Sequence, residues 1–333
     1  MTVAPPPVVR PDVRAFLDYL AAMAGPTSRE VGAVEARRMM VASRALADAD
    51  VGPLAVIRDL ACPGPDGTTI PLRLYDARDS RAPGPVLVFF HGGGFVVGDL
   101  DTHEPLCAQI ARTLDIPVIA VDYRLAPEHR WPAAPDDCEA AVRWIASAPA
   151  ALGVGVGVGV SSLVLAGDSA GGNLTIVTAL ALRDTPAAVP VIAQWPIYPT
   201  VDKAAGYASF DTFCEGYFLT TDSMSWFHDC YAPDAAHWRG SPLLASQAGM
   251  PATLVVTAGL DPLRDQGRAY AAATIAAGVP TVYREATGTI HGFLNLRRAL
   301  PSAEGDLMGC LAVLKPMIAE AEADRVMAQA SPR

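Results

Sequence analysis

Residues 163–183 read LVLAGDSAGGNLTIVTALALR, and this stretch decides the fold. A short apolar run is followed by a glycine-rich turn and then by apolar side chains at helical spacing. The order predicts a buried strand, a sharp turn that carries Ser169, and a helix. Gly167 and Gly171 must be small because the strand and the helix approach each other closely at such a turn. The pattern G-x-S-x-G is weak by itself, and a glycine-rich turn with an idle serine is the alternative.

Further short apolar runs lie on both sides of this stretch, at residues 86–90, 118–121, 191–195 and 254–258. Helix-compatible stretches separate them, at residues 106–114, 136–147, 174–183 and 267–277. Such an alternation indicates a parallel sheet with helices on both faces. Residues 281–285 would form the last strand, and a hairpin at 55–60 and 69–75 would add two. The sequence therefore predicts an α/β fold with about eight strands, most of them parallel.

Two segments do not follow this alternation. Residues 1–50 have helical spacing, and residues 201–244 are rich in aromatic and polar side chains. We expect both to form a helical cap over a core made of residues 51–200 and 245–333. The Gly-Val repeat at 153–160 is of low complexity and is expected to form an extended loop before the strand at Leu163.

Composition excludes several classes of function. The chain has 333 residues, of which 51% are hydrophobic, and a net charge of -10, which disfavours nucleic acid and anionic membranes as partners. No segment reaches the roughly 20 apolar residues that span a bilayer, and the N-terminus does not resemble a signal peptide. The six cysteines have no zinc-ligand spacing and are expected to be mostly buried thiols. We therefore expect a cytoplasmic protein without a membrane anchor, metal or cofactor.

A second motif, HGGGF at residues 91–95, directly follows the apolar run 86–90. Acyl transfer requires N–H groups that point at the oxygen on which negative charge develops. We assign the backbone amides of Gly93 and Gly94 to this role, together with Ala170 at the start of the helix after Ser169. A flexible turn is the alternative; a phosphate-binding loop is disfavoured because the glycine spacing differs.

The serine also needs a general base and an acid that orients it. In chains with a nucleophile turn of this kind, the acid comes after the serine in the sequence and the histidine comes after the acid. Of six histidines only His291 follows the last predicted strand, and Asp261 follows the run 254–258. Asp261 could instead only cap the next helix. Asp265 is a rival acid, which we interpret as helix-start electrostatics.

Three further residues belong to these motifs. His91 and Gly92 open the HGGGF segment, and Asp168 directly precedes Ser169. The turn should point the Asp168 side chain away from the reacting atoms. We assign all three a supporting role.

Together these motifs resemble the bacterial hormone-sensitive-lipase-like esterases, also called family IV. The resemblance covers about residues 55–315 and also rests on the segments VGDLDTH at 97–103, DYRLAPE at 122–128, DPLRD at 261–265 and HGF at 291–293. It implies an α/β-hydrolase fold with a helical cap, a triad of Ser169, Asp261 and His291, and no cofactor. Gln266 departs from the family, which often has an acid there.

The resemblance further implies a carboxylesterase that hydrolyses short- to medium-chain acyl esters through an acyl-enzyme. An amidase or peptidase, or a longer-chain lipase, on the same triad is the alternative, and a non-catalytic small-molecule receptor is the least favoured reading. A small-molecule ester is the expected partner, and a homodimer is possible by analogy. Aromatic residues of the cap are candidates for lining an apolar substrate pocket, and cap-to-core packing is the favoured interpretation for any single one of them: Phe16, Tyr19, Phe213, Tyr217, Phe218 and Trp226.

Overall fold

The computed structural model describes residues 7–23, 25–148, 150–153, 159–203 and 205–330. Its strands are β1 (Val56–Pro63), β2 (Thr69–Asp76), β3 (Gly84–Phe90), β4 (Val118–Val121), β5 (Val160–Asp168), β6 (Val191–Ile197), β7 (Ala252–Leu260) and β8 (Thr281–Ile290). Its helices are α1 (Pro11–Ala22), α2 (Ser28–Ala47), α3 (Glu104–Leu114), α4 (Ala133–Ala146), α5 (Ala150–Gly153), α6 (Ala170–Asp184), α7 (Ala208–Phe213), α8 (Thr221–Tyr231), α9 (Arg264–Ala276) and α10 (Ser302–Ala330). The predicted loop at the Gly-Val repeat lies largely outside the described residues, which omit 154–158.

All eight strands form one sheet in the order β1-β2-β4-β3-β5-β6-β7-β8. β2 pairs antiparallel with both β1 and β4, whereas every pair from β4 to β8 is parallel. The predicted α/β architecture with a mostly parallel sheet is therefore confirmed.

The sheet separates two apolar layers. Successive side chains of β5 alternate between them: Leu163 and Leu165 face the layer that contains α4, α6 and α9, whereas Val164 and Ala166 face the layer with α1, α3 and α10. Because both faces are covered, the central strands are apolar at consecutive positions. This coverage explains the continuous apolar runs in the sequence.

The two N-terminal helices lie in different places. α1 packs Val13 and Leu17 into the core layer beside α10, and the Arg10 N–H donates to the Gly288 carbonyl over 3.0 Å. α2 begins at a capping box formed by Thr27 and Glu30 and lies against α8. The division of the chain into core and cap at residues 50, 200 and 244 remains a prediction.

The end of α2 is tied to the loop after β8. Asp48, which is buried, accepts a hydrogen bond from Arg297 Nε over 2.8 Å and a second from Arg297 Nη2 over 3.1 Å. The N–H groups of Arg298 and Ala299 both donate to the Ala47 carbonyl over 3.1 Å. These contacts join α2 to the segment that directly follows residues 291–295.

The six cysteines are all free thiols, and four of them are buried, as the sequence predicted. None of the helices in the described ranges combines the length and the apolar character that are needed to cross a bilayer.

Candidate active site

Ser169 lies on the sharp turn between β5 and α6. Its backbone has φ 56° and ψ -113°, a strained conformation for a residue with a side chain, and its N–H donates to the Ile197 carbonyl over 2.8 Å. A Cβ atom at Gly167 or Gly171 would collide with the backbone of the neighbouring segment, Phe90 included. The two glycines therefore allow the strand, the helix and β3 to approach closely enough to hold this turn.

The structure brings Ser169, His291 and Asp261 together at the carboxyl ends of β5, β8 and β7. His291 Nε2 lies 2.8 Å from Ser169 Oγ, and His291 Nδ1 lies 2.7 Å from Asp261 Oδ2. Asp261 is fully buried and His291 is 7% exposed, so water reaches neither side chain freely. Three residues that are distant along the chain thus form one hydrogen-bonded row.

The two aspartates considered from the sequence have different partners. Asp261 Oδ1 accepts a hydrogen bond from the Leu263 N–H over 2.8 Å, so this carboxylate both contacts His291 and caps the turn before α9. Asp265 accepts from the Ser209 N–H over 3.0 Å and pairs with Arg264 Nε over 2.9 Å. Asp265 therefore fastens α7 to α9 and does not contact His291.

The glycine loop after β3 lies beside Ser169 in the wall of one cavity. Gly93 has φ 113° and Gly94 has φ 61°, values that favour glycine, and a Cβ atom at Gly94 would collide with the Phe227 ring. Within the described part of the chain, nothing accepts a hydrogen bond from the N–H groups of Gly93, Gly94 or Ala170. These amides are available to an oxyanion.

Asp168 holds the glycine loop against the nucleophile turn. Its carboxylate, which is buried, accepts from the Gly92 N–H over 2.8 Å and from Asn295 Nδ2 over 3.0 Å, and it lies 3.2 Å from His103 Nε2. Burial opposes its charge, but His103 and the Gly92 N–H outweigh burial and lower the pKa of Asp168 below its usual range. The sequence suggested only a supporting role, and it gave no indication of His103 or Asn295 as partners.

His91 anchors the other side of the loop. Its ring stacks on Tyr123 with centroids 4.3 Å apart, and the Tyr123 hydroxyl donates to the His91 carbonyl over 2.6 Å. Burial lowers the pKa of His91 to about 4, so the imidazole is neutral near pH 7. A neutral ring in this place supports the loop without adding charge.

A cavity of about 800 Å³ opens over Ser169 and His291. Of the six aromatic candidates from the cap, only Phe218 lines this cavity; the other five are Phe16, Tyr19, Phe213, Tyr217 and Trp226. Phe213 instead lies under Arg264, whose guanidinium carbon is 4.9 Å from the ring centroid, and Trp226 packs against Phe227. The aromatic lining comes mainly from Phe210, Phe227 and Tyr231, and aliphatic lining comes from α2.

In the ranges that the structure describes, no three His, Cys, Asp or Glu side chains are grouped so that they could hold a metal ion. The groups at this site are those of nucleophilic acyl transfer: a hydroxyl, an imidazole, a carboxylate and free amides.

Comparisons with known proteins agree on one family. The sequence profile of the family described as alpha/beta hydrolase fold matches residues 87–295. A carboxylic ester hydrolase, LipN of Mycobacterium tuberculosis, is 44% identical over 76% of this chain and 69% of its own length. An ethyl acetate hydrolase of Pseudomonas putida is 36% identical over 90% of this chain and 96% of its own.

Solved structures give the same picture. An ester-hydrolase from the metagenome of Lake Arreo, complexed with a derivative of bipyridine phosphonate, superimposes with a TM-score of 0.87 at 37% identity. The match covers 94% of this chain and 99% of that one. A thermostable esterase from Pseudomonas putida superimposes with a TM-score of 0.86 at 30% identity, over 95% of this chain and 99% of that one.

Proposed function

Because this chain belongs to the hormone-sensitive-lipase-like carboxylesterases of the α/β-hydrolase fold, we propose that it uses Ser169, His291 and Asp261 to hydrolyse short- to medium-chain acyl esters. That it is a carboxylic-ester hydrolase follows from its relatives. The observation that supports the triad is the continuous row of hydrogen bonds, 2.8 Å from Ser169 to His291 and 2.7 Å from His291 to Asp261.

In the first half of the proposed reaction, Ser169 Oγ attacks the ester carbonyl carbon and gives its proton to His291 Nε2. The carbonyl oxygen becomes negative and accepts hydrogen bonds from the amides of Gly93, Gly94 and Ala170. When the tetrahedral intermediate collapses, the C–O bond breaks and the alcohol leaves with the proton from His291. The acyl group remains on Ser169 as an ester.

In the second half, water attacks the acyl-enzyme while His291 takes one of its protons. The same amides hold the second oxyanion, and Ser169 leaves with the proton that His291 returns. Asp261 keeps the proton of the imidazole on Nδ1 and stabilises the imidazolium that forms in each half. Because Asp261 is fully buried, its charge acts on His291 with little screening by water.

The cavity supports a substrate of small-molecule size. A space of about 800 Å³ is within the range of small-molecule sites, roughly 300–1,000 Å³. Its lining is largely apolar and includes Met39 and Met40 from α2 and Phe227 from α8. These features favour an acyl chain of short to medium length.

The test compares Ser169→Ala with a matched control, Ser147→Ala, whose hydroxyl only bonds the Trp144 carbonyl at the end of α4. Nitrophenyl esters from acetate to palmitate serve as substrates. We expect Ser169→Ala to lose nearly all turnover with an unchanged circular dichroism spectrum, and the control to keep wild-type activity. Full activity in Ser169→Ala would refute the nucleophile, and an optimum at long chains on emulsions would identify a lipase instead.

A further inference from the structure

One cationic side chain in the cavity has no role in the reaction described above. Lys203 follows β6 and lines the same cavity as Ser169 and His291. It is one of two lysines in the chain, the other being Lys315 on α10, whose ammonium donates to the Thr113 carbonyl over 3.1 Å. A cation in an apolar substrate cavity needs an explanation because burial of a charge is unfavourable.

The backbone around Lys203 is held firmly. Gln266 Oε1 accepts hydrogen bonds from the N–H groups of Val201 over 2.8 Å and Asp202 over 3.0 Å, and the Lys203 N–H donates to Ser241 Oγ over 3.0 Å. Gln266 is nearly fully buried and lines the cavity too. Lys203 is therefore fixed at its main chain.

Among the described residues, none lies within ion-pair or hydrogen-bond distance of the Lys203 ammonium. Burial lowers the pKa of this group to about 8, so that most molecules still carry the charge near pH 7. An unpaired charge in this position gains stability from any carboxylate that enters the cavity.

The arginine and the two aspartates of the cavity wall already have partners. Arg44 pairs with Glu104 over 3.2 Å, and Asp202 accepts a hydrogen bond from the Tyr207 hydroxyl over 2.9 Å. Asp168 is held by Gly92 and Asn295. Lys203 is thus the cation that remains available for an anionic ligand.

We propose that Lys203 forms an anion subsite of the substrate cavity and that this enzyme favours esters that carry a free carboxylate, the half-esters of dicarboxylic acids. The ester carbonyl lies at Ser169 while the distant carboxylate pairs with the Lys203 ammonium. The inference rests on the proposed function, since it takes Ser169 as the point of attack. Because the chain has a net charge of -10, attraction of such a substrate must come from this local cation.

The experiment measures kcat/KM near pH 7 for the monoethyl esters of succinic to suberic acid. Each is compared with the ethyl ester of the monocarboxylic acid of the same carbon number. Lys203→Met keeps the length of the side chain and removes its charge, Lys203→Arg keeps the charge, and Lys315→Met is the control for a change in net charge.

We expect the wild type to prefer the half-ester at one chain length, which reports the distance from Ser169 to the ammonium. Lys203→Met should lose about tenfold or more on that half-ester, as expected for a charged hydrogen bond, with the neutral ester within about twofold. Lys203→Arg should keep part of the preference, and Lys315→Met all of it. Equal losses on both esters, or no preference in the wild type, would overturn the subsite.

A binding measurement separates this proposal from the proposed function. Monoethyl adipate is titrated into Ser169→Ala and into Ser169→Ala with Lys203→Met. If Ser169→Ala still hydrolyses the ester, the nucleophile assignment fails. If Ser169→Ala is inert but both variants bind monoethyl adipate equally, the triad stands and the Lys203 subsite falls.

Discussion

The floor and the roof of the cavity are stabilised by different kinds of contact. We define the floor as residues 91–95 and 168–171 together with Asp261 and His291, and the roof as α2 and α8. In the floor, buried groups meet over 2.7–2.8 Å at Asp261–His291 and Gly92–Asp168, and a Cβ atom at Gly171 would strike the Phe90 carbonyl. In the roof, Arg29 of α2 pairs with Asp222 and Asp229 of α8, and all three side chains are at least 40% exposed.

This difference separates the residues that determine the reaction from those that determine which substrate binds. Buried, mutually dependent contacts leave the floor little freedom to change without loss of the reaction. Exposed ion pairs contribute little to stability, so the pairs between α2 and α8 put little constraint on the side chains that these helices present to the cavity. The reaction type should therefore depend on the floor, and substrate choice on the roof and on Lys203.

The largest expected effect is at the buried carboxylate of the floor. Asp261→Asn should lower kcat by about 10⁴-fold, because an amide favours the wrong tautomer of His291. Asp265→Asn is the control, since this residue pairs with Arg264 and Ser209 and does not contact His291. A larger loss in Asp265→Asn, measured with nitrophenyl butyrate, would contradict the assignment of Asp261 as the orienting acid.

The next effect concerns the point where the floor touches the roof. Gly94→Ala places a methyl group against the Phe227 ring and should reduce kcat by about 100-fold, since it displaces an oxyanion donor. Phe227→Ala should restore part of that rate in the double variant. Gly93→Ala collides with the backbone of Val97, so Phe227→Ala should not rescue it. Equal rescue of both would contradict a contact specific to Gly94.

A smaller effect is expected from Asp168→Asn, which weakens the link between the glycine loop and the nucleophile turn. Loss of the buried charge should cost about 1–3 kcal/mol in unfolding free energy near neutral pH. The folded state lowers the pKa of Asp168, so its contribution is complete above the ordinary value of 3.8 and disappears as the pH falls through the lower folded value.

The measurement is the melting temperature by circular dichroism as a function of pH. The difference between wild type and Asp168→Asn should be constant from about pH 7 to 5 and shrink below about pH 4. Asp184→Asn, an exposed carboxylate that pairs with Arg183, is the control and should show little difference throughout. A difference in melting temperature that stayed constant at all pH values would show that the charge of Asp168 does not contribute to stability.

The smallest effect is expected in the roof. Arg29→Gln removes both exposed ion pairs to α8 and should shift the melting temperature by less than about 2 °C, with kcat unchanged. Arg38→Gln, which removes only a pair with Glu35 within α2, gives the reference for an exposed arginine. If Arg29→Gln lowered kcat tenfold, the separation of floor and roof would be wrong.

The sheet could be predicted from the strand pattern and the order of motifs. A strand that is buried on both faces needs apolar side chains at consecutive positions, and this pattern can be read from the local sequence alone. The residues of the triad could also be chosen, since the order of serine, acid and histidine along the chain leaves one candidate histidine, His291. Contiguous glycines identified the loop at 91–95. The strands and the glycine loop follow from signals that lie within a few residues, whereas the triad also required the order of the motifs along the chain.

The rest depended on contacts across the fold. Asn295 donates a hydrogen bond to Asp168 although the two residues are 127 positions apart in the sequence. His103 also contacts Asp168, and its position just before α3 carries no spacing pattern that predicts this contact. The sequence could not decide which aromatic residues of the cap line the pocket, because an aromatic side chain in a cap serves packing equally well, as Trp226 does. Gln266 stood out only as a departure, and its role in holding the segment before Lys203 required the folded structure.

The link between Asp48 and Arg297 has a consequence for chimeric enzymes. An exchange of the N-terminal helices with those of a relative would transplant the α2 part of the roof but leave Arg297 behind on the recipient. Without an acid at the graft junction, that buried guanidinium would lose both of its short hydrogen bonds to Asp48 and keep only the longer contact with Glu304, over 3.7 Å, at a cost of up to about 3 kcal/mol. A crossover placed after residue 50 should therefore give a more stable chimera when the donor helix ends in a carboxylate, which makes this position one criterion for choosing donors.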